Sequence, residues 1–385
     1  MAKADWRALA TQVADGHGPW RLPTQPPTPP QQLLALAART RHTDDEAARA
    51  LGQRLSEPEW HEVMALSNAG HLATLIYARI AALEMLPLLP PAVYAYFAEY
   101  YRQTLLANLH IRTTLERLLD ELAAAGISAV PLKGVVLAER LYTNIAWRPT
   151  RDIDLLMRRE DIRRTGQLLR QSGYTPEDGQ EHIHAFAAIA STETKYERKD
   201  APLIELHWGL SKRPAYRRAL PAEDVWERTV TETWRGRVIR VLAPSDELRY
   251  LAVHCTADHA HSQLNWLVDI AELTRRLPPD WRWDAFATET IAAGLATPVG
   301  LALVQCRAVL DLNVPDETLT EILRAALAPN ERAAWQSAWA EHLSRAWIAA
   351  HLRAMPSYRE RARFTVGALA RIAANTANKR LRRHP

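Results

Sequence analysis

The stretch RPTRDIDLLM, residues 148–157, sets two aspartates, Asp152 and Asp154, one residue apart inside an apolar run. Side chains alternate along a β-strand, so both carboxylates leave one face while Ile153 and Leu155 leave the other. Like charges that close repel and raise each other's pKa. Such a pair persists where water solvates it or a cation neutralises it. Aspartate is disfavoured in strands, and two on one face more so, which weighs against a merely solvated surface.

Working outward, two further elements can share that surface. Upstream, ISAVPL (127–132) reads as a short strand and KGVVLAERLY (133–142) as a short helix, with Lys133 and Gly134 at the junction. A helix N-terminus offers free N–H groups, glycine admits a phosphate close to the backbone, and Lys133 adds a full charge. Taken alone, this junction also reads as a plain turn. Downstream, PLIELHWGL (202–210) reads as a strand on which Glu205 and His207 face away from Ile204, Leu206 and Trp208. A single acid such as Glu205 is common on an edge strand, and a histidine such as His207 is more often packed than catalytic. Three carboxylates converging from neighbouring strands, however, make a hard-oxygen site suited to Mg²⁺ or Mn²⁺. Beside a phosphate-holding corner, that site suits phosphoryl or nucleotidyl transfer.

The remaining sequence sets bounds. At 385 residues the chain is long for one compact core. The N-terminus lacks the basic-then-apolar layout of a secretion signal. The most apolar region, LATLIYARIAALEMLPLLPP (72–91), is broken by Arg79, Glu84 and prolines, so no stable membrane insertion is expected. Two cysteines, Cys255 and Cys306, cannot build a disulfide framework or a cysteine-rich zinc site. A cytoplasmic protein with reduced thiols is expected. The net charge of +4 is mild, and part of it sits in the terminal KRLRRHP, ordinarily a solvated tail.

Composition and periodicity divide the chain into four stretches. Residues 1–44 form an N-terminal segment with a proline-rich linker, WRLPTQPPTPPQQ (20–32). Residues 45–126 carry helical spacing, the second helix opening on prolines and closing at Gly126. Residues 127–243 form a compact α+β core, which includes a helix over REDIRRTGQLLRQSGY, a strand pair turning at Asp200–Pro202 and a hairpin around Arg235–Gly236. Residues 244–385 return to helix, with breaks at prolines including Pro278, Pro298, Pro315, Pro329 and Pro356. The fold class is α+β: a small mixed sheet flanked by helical regions from both ends. In the C-terminal region His254, Asp258 and His261, spaced four and three apart, invite a zinc reading.

VPLKGVVLAERLY, RPTRDIDLLM, Gly173–Tyr174, IELHW and LAVHCTADHAHSQLNWLVDIAEL together resemble a poorly characterised bacterial nucleotidyltransferase family of the polymerase-β type, from about Trp60 to about residue 310. The resemblance implies a nucleotidyltransferase-type sheet and transfer of an NMP group from an NTP to an acceptor hydroxyl, with pyrophosphate released. By it, Asp152 and Asp154 bind the metal ions, and Glu205 completes the site as ligand or general base. Lys133 and Gly134 hold the triphosphate. Arg148 matches an arginine that precedes the family's aspartates, and it is expected at phosphate or in a surface salt bridge. Arg151 is a further phosphate contact or a partner of Asp152. The resemblance also has the 251–273 helix line the cleft or pack on the catalytic sheet, rather than hold zinc. Val135 stands where the superfamily usually has glycine or serine. A kinase-like phosphotransferase and a non-catalytic nucleotide-binding scaffold are the rival readings. The acceptor, whether small molecule, saccharide, protein or tRNA, stays open.

Overall fold

The computed structural model describes residues 6–14, 25–40, 42–177, 192–259 and 264–339. Part of the proline-rich linker, His261, the Pro356 break and the basic tail lie outside the described residues.

Five strands form a mixed sheet: β1 (Ala129–Pro131), β2 (Asp152–Met157), β3 (Thr175–Pro176), β4 (Glu193–Glu197) and β5 (Leu203–His207), in the order β1-β2-β5-β4-β3. Only the β2–β5 pair is parallel; the other three pairs are antiparallel. A separate hairpin, β6 (Val230–Trp234) and β7 (Arg237–Val241), turns through Arg235 and Gly236. Both turn residues have positive φ, 50° and 77°, the conformation that a two-residue hairpin turn demands.

Period-2 patterning assigns the two faces of the sheet. Ile153, Leu155 and Met157 of β2, Ile204 and Leu206 of β5 and Tyr196 of β4 enter one hydrophobic core. The hairpin adds Trp234, Ile239 and Val241 to it. The opposite face carries Asp152, Asp154, Glu205, His207, Glu193 and Lys195, while Leu156 of β2 joins a second, larger core of the helical regions. Among the described residues, no helix is long and apolar enough to cross a membrane.

One 34-residue helix, Pro91–Ala124, serves both cores. Val93 and Phe97 lie in the helical core, and Ile111, Leu115, Leu118 and Leu122 pack under the sheet. The spacings of three and four residues keep these side chains on one stripe. The stripe is interrupted by Asn108, which is fully buried. Its side chain donates to the carbonyls of Ile145 (2.6 Å) and Arg148 (2.9 Å) and accepts from the Thr150 N–H (3.1 Å). One amide therefore fixes the segment that delivers the chain into β2.

Removing a buried partner leaves the matching groups unsatisfied as well as losing the bonds. Asn108→Leu is therefore expected to lower unfolding free energy by about 3 kcal/mol. A urea-melt midpoint equal to that of the wild type would contradict this.

Candidate active site

The parallel register of β2 and β5 sets Asp154 directly beside Glu205, and Leu156 beside His207. The antiparallel partner β4 then places Lys195 beside Glu205 and Glu193 beside His207. A cleft of about 310 Å³ opens over this face, and Lys133, Gly134, Arg148, Arg151, Asp152, Asp154 and Glu205 all line it.

Asp154, Glu205 and Glu193 each have a cationic neighbour. Asp154 is buried, with His207 Nε2 at 2.9 Å from one oxygen and Lys133 Nζ at 3.1 Å from the other. Lys195 donates to Glu205 Oε1, and His207 Nε2 stands 3.6 Å from Glu205 Oε2. Glu193 lies 3.6 Å from His207 Nδ1 and 3.0 Å from Lys212 Nζ.

The titration behaviour follows from this packing. Burial opposes ionisation of Asp154, yet Lys133 and His207 outweigh it and hold the carboxyl far below its ordinary value. Asp152 goes the other way: burial and the adjacent Asp154 charge raise it. Burial works against the charge on Glu205 too, but the nearby His207 and the hydrogen bond from Lys195 bring it down to about 2. Burial would make His207 neutral; its hydrogen bond to Asp154 and the nearby Glu205 carboxylate push it up to about 9 instead.

Gly134 opens the helix Gly134–Leu141 with φ +65°. A Cβ there would meet Thr150 and Asp152 only at ordinary contact, 3.4 Å and 3.5 Å, so backbone conformation rather than space calls for glycine. Arg148 is buried and tied to Asp269 by contacts of 2.9–3.0 Å, while Tyr142 donates to the same carboxylate at 2.8 Å. Its guanidinium thus joins the strand-entry segment to the helix Leu264–Thr274, with a further contact of 3.5 Å to the Gly134 carbonyl. Arg151 is exposed at the cleft, where its charge, after burial, helps lower the pKa of His71.

Asp154, Glu205 and His207 present ligand atoms within 4.8 Å of one another. Carboxylates with a single imidazole are a donor set that fits a divalent cation. His207 shares its face with Glu205 by strand parity; Lys195 becomes a neighbour only through the β4–β5 register. The segment expected to line the cleft does so, through His254, Asp258, His259 and Trp266. As to zinc, Asp258 accepts from Ser211 Oγ (2.7 Å) and the Lys212 N–H (3.1 Å), and residues His254–Asp258 form a π-turn rather than the α-helical face that reading assumed.

Residues 56–311 match the model of a family described as an uncharacterised nucleotidyltransferase. No curated protein matches the chain.

His207 gives the metal-free protein a pH signature. Its folded pKa of about 9 lies above the ordinary 6.5, so its stabilisation is complete below pH 6.5 and disappears as pH rises through 9. In chelator, wild type should lose about 3 kcal/mol relative to His207→Gln between pH 6 and pH 10. Parallel stability curves for the two proteins would refute this.

Proposed function

The chain belongs to this nucleotidyltransferase family, whose model spans most of its length, and on that premise we propose metal-dependent transfer of an NMP group from an NTP to an acceptor hydroxyl. The observation that carries the reading is the in-register pairing of Asp154 with Glu205, in a cleft that also contains Asp152 and the Lys133–Gly134 corner.

In this reading Asp152, Asp154 and Glu205 hold Mg²⁺ or Mn²⁺, with His207 against Asp154 as an orienting partner. The ion, when bound, neutralises the triphosphate and favours the ionised acceptor. With Asp154 neutralised by such an ion, Lys133 would be released from it to hold phosphate oxygens beside Gly134. Glu205, ionised down to about pH 2, is too weak a base to be the main proton acceptor and suits the ligand role. The acceptor oxygen attacks the α-phosphorus, the bond to the β-phosphate oxygen breaks, and pyrophosphate leaves. The hydroxyl proton passes to Asp152, the one carboxylate of the three whose pKa is raised. Arg148, held by Asp269, braces the phosphate corner from behind, and Arg151 meets phosphate at the cleft mouth.

Asp152→Asn and Asp154→Asn should each lower metal-dependent turnover by about 10³-fold or more, with the fold intact by circular dichroism. Full activity in both variants would defeat the proposal. Labelled NTP with cell extract as the acceptor source should release pyrophosphate. A nucleoside diphosphate product would instead establish phosphoryl transfer, and tight NTP binding without turnover a scaffold.

A further inference from the structure

The helical region supplies a further wall of the same cleft, and the chemistry above leaves this wall without a role. His254, His259 and Trp266 line it and are half-buried. Their rings meet one another, with centroids 4.5 Å apart for His254–His259, 5.0 Å for His254–Trp266 and 4.6 Å for His259–Trp266.

The backbone is shaped to make this contact. Residues His254–Asp258 form a π-turn, and His259 follows in extended conformation, φ −121°. An uninterrupted α-helix would set side chains five residues apart about 140° around its axis, and the two imidazoles could not touch. Such π-turns concentrate at functional sites.

Charge is absent from the platform. Burial and the nearby Lys133 ammonium hold His254 far below its ordinary pKa, and burial with Lys133 and Lys212 brings His259 to about 4. At neutral pH the three rings form one uncharged aromatic surface. Beside it lies Asn265, 8% exposed, lining the same cleft, with a buried Oδ1 that has no hydrogen-bond partner. Folded proteins keep few such atoms, and a ligand N–H would satisfy this one.

Resting on the nucleotidyl-transfer reading, we propose that this wall is the nucleobase subsite: the base lies against His254, His259 and Trp266, and Asn265 reads its edge. Every base has a π-face, so the rings supply affinity with little discrimination. Discrimination falls to the Asn265 carboxamide, which pairs with a donor or an acceptor according to how it is turned. The triphosphate then runs from this wall to the Lys133–Gly134 corner.

Calorimetry in Mg²⁺ with ATP, GTP, CTP, UTP and inorganic tripolyphosphate tests the assignment. Wild type should bind its best NTP about 10- to 100-fold more tightly than tripolyphosphate. Trp266→Leu and His259→Ala should each remove most of that margin while leaving tripolyphosphate affinity unchanged, which also certifies their fold. Asn265→Leu should narrow the spread among the four NTPs. If wild type holds NTP no better than tripolyphosphate, or both ring variants keep the margin, the base subsite is overturned while nucleotidyl transfer stands. An unchanged spread in Asn265→Leu overturns the reading role of that residue. If neither NTP nor tripolyphosphate binds, the transfer reading falls and the subsite falls with it.

Discussion

Burying several carboxylates on one side of a small sheet is possible only if each is matched by positive charge. That constraint organises the protein. Lys133 and His207 serve Asp154, Lys195 and His207 serve Glu205, and Lys212 serves Glu193. Asp152, lacking so close a cation, has its pKa raised instead. Asp152 is therefore the member of the cluster that added positive charge relieves.

The geometry that enforces this balance comes from outside the cluster. Asn108 pins the entry to β2. Arg148 and Tyr142 converge on the fully buried Asp269, tying the Lys133–Gly134 corner to the helix that also carries Asn265 and Trp266. A second pair, the half-buried Arg140 with the buried Glu247 at 2.7 Å, links the helix Gly134–Leu141 to the helix Pro244–Val253. Breaking one member of such a pair strands a charge in the interior.

Much of this could be read from residue order alone. Alternation along DIDLLM and LIELH predicts both strands and puts the acids on one face, because a period of two is a local property. The junction at Gly134 and the hairpin at Arg235–Gly236 are local for the same reason. The partners of the acids are not. Lys195 meets Glu205 through strand register, and Asp269 meets Arg148 across 121 residues. Nothing near position 148 announces that its guanidinium will face a carboxylate on a distant helix rather than solvent or phosphate. The ring cluster was equally hidden, because helical periodicity at 254–259 points to the wrong neighbours once the backbone adopts a π-turn.

The helix Pro91–Ala124, shared by two cores, bears on how such a protein can diversify. A gene fragment encoding only the sheet, 127–243, would carry away the strands while leaving behind Ile111, Leu115, Leu118 and Leu122, and the product would expose its apolar underside to water. A cut between the sheet and the helical region severs the one helix that packs into both cores. Inheritance of the site is bound to inheritance of its scaffold.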